Sequence, residues 1–524
     1  MTRLFALLPL FAMAAAAYDE KPVTLLSGMG LHQHTITTQS PEAQKFFNQG
    51  LVLLYGFNRY EAQRSFRKAA ELDPAAIMPH VGLAWTYAPH INMDLDGDVD
   101  LQKACAAAQQ AGQRQGPARE RAYAKAASAM CTSAEAYSQA MRELFQQYPD
   151  DHDAASLFAE TLMVPVRWRW WKQGKPNGEM AECIRVLEGV MRRDPEHPGA
   201  NHFYVHAMEM SPNPEYALPA AQRLMGGIAP NAGHLVHMAG HIYIRVGDWE
   251  VVASSNERAV SVDEHYFHHT GVQGGYMGYY AHNIHFLVAA RMMQGRYDDA
   301  LAAAKKMVST SQPLLNDAAP LLEAWMPYPW FVMLRFEKWD ELLAQPAIDH
   351  PKLPITKALY HWARAIAYNG KGDRDKAIDE SKTFARLRAA VAADAIWINN
   401  KASDVLQIAA DTLQARMANT PREAIPFWKR AVEKQDGLIY DEPPAWYYPI
   451  RESLGAALLA SGDAKAAEAV FREELHNAPR NPRALHGLMS SLEKQGRADD
   501  AALVKVEFDR AARKGQMPLN WRPY

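Results

Sequence analysis

Ten of the chain's 20 histidines fall in the 84 residues from His202 to His285. Imidazole is a ligand for transition metals, so the spacing of these residues matters more than their number. His202 and His206 are followed by Glu209, His234 by His237 and His241, and His282 by His285. On a helix, steps of three and four residues bring side chains to one face. Each group therefore offers two or three ligand-type side chains from one helix face. A histidine-dominated set suits copper, zinc, iron or nickel and argues against calcium and magnesium. Met208, Met210 and Met238 lie among these residues and fit either soft ligands or packing.

The elements that must hold these residues are helical. Apolar residues recur at three and four from Glu42 to Pro74, and the stretch closes on Leu72, Asp73 and Pro74. Phe46, Gly50, Ala62, Phe66, Ala69 and Pro74 stand at the spacings of a helix pair. The glycine lets two helices approach, the alanine sits at their crossing, and the proline ends the second helix. Gly455, Ala467, Phe471 and Pro479 repeat the pattern, and a further copy runs through Leu488, Leu492 and Ala501. Ala467 and Ala501 are 34 residues apart, one repeat length.

With these motifs the chain resembles the tetratricopeptide repeat superfamily. Degenerate copies around Ala217, Val252, Ala300 and Ala377 fill the interval between the two ends. The resemblance covers about two thirds of the chain. It implies an all-α fold, a right-handed α-solenoid of degenerate tetratricopeptide repeats whose first helices line a concave groove. It also implies that a peptide partner is one role for that groove.

Measured back from Ala217, Val252 and Ala300, the histidines and Glu209 recur at offsets of 18, 15, 11 and 8 residues. These offsets are successive turns of the groove-lining face. Three consecutive repeats thus aim His202, His206, Glu209, His234, His237, His241, His282 and His285 into one concavity. Packed helices lie about 8–10 Å apart, so adjacent helices can share an ion but the first and third cannot easily do so. Two ions are expected. One lies between the His202 and His234 helices, the other between the His237–His241 face and the His282 helix. Such a set resembles a coupled binuclear copper centre more than a binuclear zinc hydrolase, which uses bridging carboxylates. Copper is favoured, with zinc or iron as alternatives.

Other residues are candidates for supporting roles. Glu209 and Glu160 are candidate catalytic carboxylates, Glu160 also as an orienting partner for an imidazole. Trp168, Trp170 and Trp171, in a segment that breaks the array, offer an aromatic platform for substrate or a packing cluster. In the segment 440–451, Glu442, Trp446, Tyr447 and Arg451 are candidate substrate contacts at the groove mouth, against local packing. His32 and His34 either fold back to complete the groove or lie in an exposed loop. Residues 264–281 form an insertion with His265, His268 and His269, followed by Gly271, Gly274, Gly275 and Gly278; it reads as a lid or a surface loop. The aspartates between Asp94 and Asp100 lack the closing glutamate of a calcium loop and read as an acidic connector.

The chain has 524 residues, 48% of them apolar, ample for a large core. With 56 Lys and Arg against 59 Asp and Glu, the net charge of −3 gives no case for nucleic acid. Arg3, the apolar run Leu4–Met13 and the alanines before Tyr18 read as a secretory signal peptide, and no later run would span a membrane. The mature chain is expected to be exported, periplasmic or secreted. Cys105 and Cys131 are then a candidate disulfide or two buried thiols. The expected divisions are a signal peptide (1–17), an extended segment (18–41), N-terminal helical repeats with the Trp-rich insertion (42–195), His-rich central repeats (196–310), degenerate helical repeats (311–440) and C-terminal repeats (441–524).

No GxSxG, P-loop, GxGxxG or HExxH motif is present. The leading expectation is therefore an exported copper-dependent oxidoreductase acting on a small organic substrate. The alternatives are a zinc-type metal-dependent hydrolase, a metal storage or delivery protein, and a peptide-binding scaffold.

Overall fold

The structure is a computed structural model and describes residues 22–92, 99–271, 275–512 and 515. The expected signal peptide, most of the acidic connector and Gly274 lie outside the described residues. The fold is all-α, built from consecutive tetratricopeptide-type helix pairs. The strands described are two short antiparallel ribbons, Trp171–Lys172 with Lys175–Pro176 and Ile396–Trp397 with Asn400–Lys401. Among the described residues no helix is long and apolar enough to cross a membrane.

Two compact units are present. The first runs to Ile242 and takes in Ser254–Asn283; the second comprises Tyr243–Ala253 and the chain from Ile284 onward. The His-rich stretch 196–310 is therefore divided between them rather than forming a region of its own.

In the first unit the repeat glycines act through close approach. A Cβ on Gly50 would lie 2.7 Å from the Phe66 ring, and one on Gly82 would lie 2.6 Å from it. Phe66 thus wedges between the helices Pro41–Tyr55 and Met78–Tyr87 only because both present glycine. Ser40 caps the first of these helices by accepting from Ala43 N at 3.1 Å, and Asn58 caps the helix Arg59–Leu72 by accepting from Glu61 N. Cys105 and Cys131 are joined by a disulfide, and Cys183 is buried as a free thiol.

The second unit repeats this logic. Cβ atoms on Gly455 and Gly487 would lie 2.5 and 2.2 Å from the Phe471 ring. Its core holds Trp362, Trp428 and Trp446. Tyr447 stacks on Phe331 with centroids 4.4 Å apart. Arg335 and Glu452, both buried, meet through two hydrogen bonds of 2.9 and 3.0 Å.

The insertion 264–281 is largely helix. The helix Trp249–Thr270 carries His265, His268 and His269 in its last turns, and Gly271 ends it with φ 68. The next helix begins at Met277. Extending a repeat by lengthening its helices keeps their backbone hydrogen bonds satisfied, which a loop there would leave to water.

Candidate metal centre

The helix Pro198–Glu209 carries the first histidines. His197 caps it, its Nδ1 accepting from Ala200 N at 3.0 Å, and Pro198 takes the first position. Every residue of this helix is buried. Gly199 permits that, because a Cβ there would lie 2.4 Å from the Tyr55 ring. The second set of histidines sits on a broken element. Gly233–His237 and Ala239–Arg245 are separate helices with Met238 between them, where one continuous helix was expected. The start of Gly233–His237 is held by Asp263: Tyr276 Oη donates to its Oδ1 at 3.0 Å and accepts from His234 N, while Asn283 Nδ2 donates to its Oδ2 at 2.7 Å. Burial pushes the Asp263 carboxyl up to about 7.

Two groups of three imidazoles result, both within the first unit. His202, His206 and His234 form one, and His237, His241 and His282 the other; within each, the nearest ligand atoms all lie within 4.8 Å of one another. Two nitrogens on one ion lie at most about 4.2 Å apart, twice the usual bond length, so small side-chain rotations suffice to close either group on an ion. The groups adjoin, the rings of His206 and His241 being 5.1 Å apart.

In four of the six rings a hydrogen bond fixes which nitrogen is offered. His202 Nδ1 donates to the Tyr55 carbonyl at 2.5 Å, which leaves a lone pair on a buried Nε2 with no partner. His206 Nδ1 donates to Glu209 Oε1 at 2.8 Å, and its Nε2 is likewise buried without a partner. His241 Nδ1 donates to Glu209 Oε2 at 2.5 Å, and His237 Nδ1 to Asn256 Oδ1 at 2.7 Å. The Nε2 atoms of His237 and His241 then face each other at 2.9 Å. Two lone pairs at that distance repel unless a proton or a metal ion lies with them. Both ring nitrogens of His234 are buried and unpartnered. An orphaned buried acceptor costs about 1–3 kcal/mol, so this arrangement is expensive for a cluster without a cation.

Burial, then the neighbouring imidazoles, hold His202, His234 and His237 well below the usual histidine range. Burial also lowers His206. These rings are neutral at pH 7, as metal ligands must be. Burial raises the Glu209 carboxyl, but attraction and hydrogen bonds from His241 and His206 outweigh it and hold it below the usual carboxylate range. Glu209 is thus an anion that orients one imidazole of each group, and its oxygens are occupied by their Nδ1 atoms.

The other expected residues are placed as follows. His285 lies in the second unit, its ring 4.5 Å from Tyr328 and its Nε2 buried, and is not brought into either group. Trp168 and Trp170 border the first group, with rings 6.4 and 5.8 Å from His206. Trp171 Nε1 donates to Ala207 O at 2.7 Å, bracing the first histidine helix. Glu160 lines a separate cavity with Arg59, Trp85, Tyr137 and Leu157, where burial pushes it up to about 7. In the second unit Trp446 is packed against Trp362, and Arg451 is neutralised by Asp436 and Glu473. The side chains of Tyr447 and Glu442 belong to that unit as well.

His32 and His34 form a second histidine cluster. His32 Nε2 lies 3.0 Å from Asp153 Oδ1, His34 Nδ1 lies 2.8 Å from Oδ2, His197 Nε2 lies 3.2 Å from Oδ1, and Tyr55 Oη donates to Oδ1 at 2.7 Å. Because His197 Nδ1 accepts from Ala200 N, its Nε2 carries the proton, which makes it a donor to Asp153 rather than a metal ligand. Tyr55 joins the two clusters through its hydroxyl and its carbonyl.

Asp153, Asn256, Tyr55 and Phe57 are parts of this region that the sequence gives no sign of. They reach the histidines from other helices and, for Phe57, from a turn, without periodic spacing to mark them.

No family model matches the chain, and no curated protein matches it. Similar solved structures include a human IFIT1 dimer with m7Gppp-AAAA (TM-score 0.34, 11% identity, 96% of this chain and 94% of that one). Others are yeast Tom70 (TM-score 0.31, 12% identity, 90% and 98%) and an APC/C hetero-tetramer, Cut9–Hcn1 (TM-score 0.30, 12% identity, 91% and 74%). At these scores the likeness bears on neither ligand nor activity.

Proposed function

We propose that the protein binds two transition-metal ions, one in each histidine group, and is a copper-dependent oxidoreductase acting on a small organic substrate with oxygen. The observation that carries this reading is the orientation of the imidazoles. Four rings have Nδ1 held by an acceptor, and their Nε2 atoms converge in pairs from adjoining groups. This is how protein ligands are prepared for a metal, with the outer partner setting tautomer and angle. Three imidazoles per ion also leave coordination positions for added ligands, which a saturated storage site would lack.

The converging donors are all nitrogens, a set that copper shares with zinc, iron and nickel, and the place of Glu209 favours copper among them. A binuclear hydrolase would use a bridging carboxylate, and Glu209 is engaged on the far side of the rings instead. Bound copper would supply one-electron chemistry with oxygen. The protein's share is to hold the six rings together, keep His202, His206, His234 and His237 neutral and shelter the buried rings from water. The Cys105–Cys131 disulfide supports export, since such bonds persist in oxidising compartments.

The test is to load the chain with Cu(I) without oxygen, admit oxygen, and follow oxygen consumption with phenols and other small reductants. Turnover that fails in His202→Ala and His237→Ala variants supports the reading. Two bound coppers with no oxygen uptake in any substrate panel would reduce the role to metal storage or delivery.

A further inference from the structure

The turn between paired helices recurs along the chain with one conformation. Its last residue before the next helix cap has a positive φ and donates its N–H to the carbonyl three residues back. Gly247, Gly295, Gly372, Gly462 and Gly496 fill this place, with φ of 73, 74, 82, 93 and 74°. Glycine is favoured there because a Cβ is crowded in the left-handed region. Phe57 occupies the same place, with φ 54° and its N–H donating to Leu54 O at 3.2 Å. Among the described residues Glu337 also carries a Cβ in this turn, and it is partly exposed. Phe57, by contrast, is 1% exposed. A bulky residue kept where the backbone favours glycine needs a reason beyond the turn.

The ring of Phe57 supplies one. Its centroid lies 4.5 Å from His202, 5.0 Å from His234 and 6.2 Å from His206, stacked on the last. It therefore packs against the imidazoles of His202 and His234 and lies over that of His206. Tyr279 flanks it at 5.9 Å, and that ring also lies 4.9 Å from His234. Trp168 and Trp170 stand beside His206. The first group is thus enclosed by aromatic rings. In the second group His282 is partly exposed, while His237 and His241 are buried.

We propose that Phe57 is a fixed cover over the ion of the His202, His206 and His234 group, so that added ligands and substrate reach the pair of ions from the His282 side. This rests on the two-ion reading. Phe57 is then a specificity-determining residue. It leaves one ion sealed and the other open, and it limits substrates to molecules that can approach from one direction.

Azide binding to the Cu(II)-loaded full chain tests this, read by its charge-transfer absorption and by electron paramagnetic resonance, with copper per chain measured alongside. Wild type should bind about one azide per chain at the open ion. Phe57→Gly restores the residue the turn favours and removes the ring. It should keep both coppers and bind a second azide. Phe57→Leu, which retains most of the bulk should the glycine variant fail to fold, should show weaker second-azide binding that wild type lacks. A wild type that binds azide at both ions would overturn the cover. So would variants that keep both coppers and titrate as wild type does. A wild type that takes up no copper overturns the two-ion reading and the cover with it, so the two failures are told apart by the metal count.

Discussion

His237 Nε2 faces His241 Nε2 at 2.9 Å, while the Nδ1 of one ring is bonded to Asn256 and that of the other to Glu209. Neither ring can turn to relieve the contact without breaking an interior hydrogen bond. At this distance the two nitrogens share a proton or, in the two-ion reading proposed above, lie on a metal ion.

Removing one ligand should therefore empty one position and spare the other. His237→Ala is expected to lower the metal content from about two ions per chain to about one, and His202→Ala to do the same through the other group. Elemental analysis of each variant, with circular dichroism to show the helices intact, checks this. Loss of both ions from either single variant would mean that the six imidazoles form one indivisible site.

Glu209 differs from the ligands because it serves both groups at once. Glu209→Gln keeps the shape but cannot accept from both Nδ1 atoms as an anion. The metal affinity of both positions should fall together, by about 10–100-fold, the usual cost of losing an orienting partner. Competition with a chelator of known affinity would measure it. A fall at one position alone would show that the carboxylate acts on a single ring.

Much of this could be read from the sequence, and the limits have physical causes. The repeat helices were legible because Gly50, Phe66 and Ala62 answer to a local period. The division of the histidines into two groups followed from the same period. The sequence does not reveal Glu209 as an orienting group rather than a ligand, because either role needs the same residue at the same offset. Nor could it separate His285 from His282, which share a helix but lie in different units. Asp153 was invisible because His32 and His34 reach it from one distant segment and His197 from another. Trp446 and Arg451 read as functional by type, yet packing and ion pairing account for both.

The Asp153 cluster predicts a pH-dependent attachment of the segment 22–40. Burial lowers His32 and His34, but the charge and hydrogen bonds of Asp153 outweigh it and raise both above 6.5. Their contribution is fully present below that value and is lost as pH rises through the raised ones. Asp153 itself is held well below 3.8, burial being outweighed by His32, His197 and His34, so its contribution is lost only as pH falls past that value. Amide exchange in this segment, corrected for its intrinsic rate, should accelerate as pH rises from 6.5 through the raised values. Asp153→Asn should remove the dependence, and an unchanged profile in that variant would assign it to other groups.

In the second unit, Arg335 and Glu452 form a buried, doubly hydrogen-bonded pair. Arg335→Ala leaves the buried Glu452 carboxylate only Asn481 Nδ2 at 2.8 Å and the more distant Arg483 at 3.9 Å, and should destabilise this unit by up to about 3–5 kcal/mol. Replacing both residues with apolar ones of similar size should recover only part of that loss, because Arg483 and Asn481 then lose the Glu452 carboxylate. Denaturant unfolding of the three proteins decides it, and a single variant as stable as wild type would show that water reaches Glu452.

The central claim is that the chain holds two metal ions on six histidines. Elemental mass spectrometry of the mature protein, purified without chelators, measures this most directly. The account predicts about two transition-metal ions per chain, copper foremost, with neither His285→Ala nor Glu160→Gln altering the number. A chain that carries no metal, and takes none up when copper, zinc or iron is offered, would contradict it.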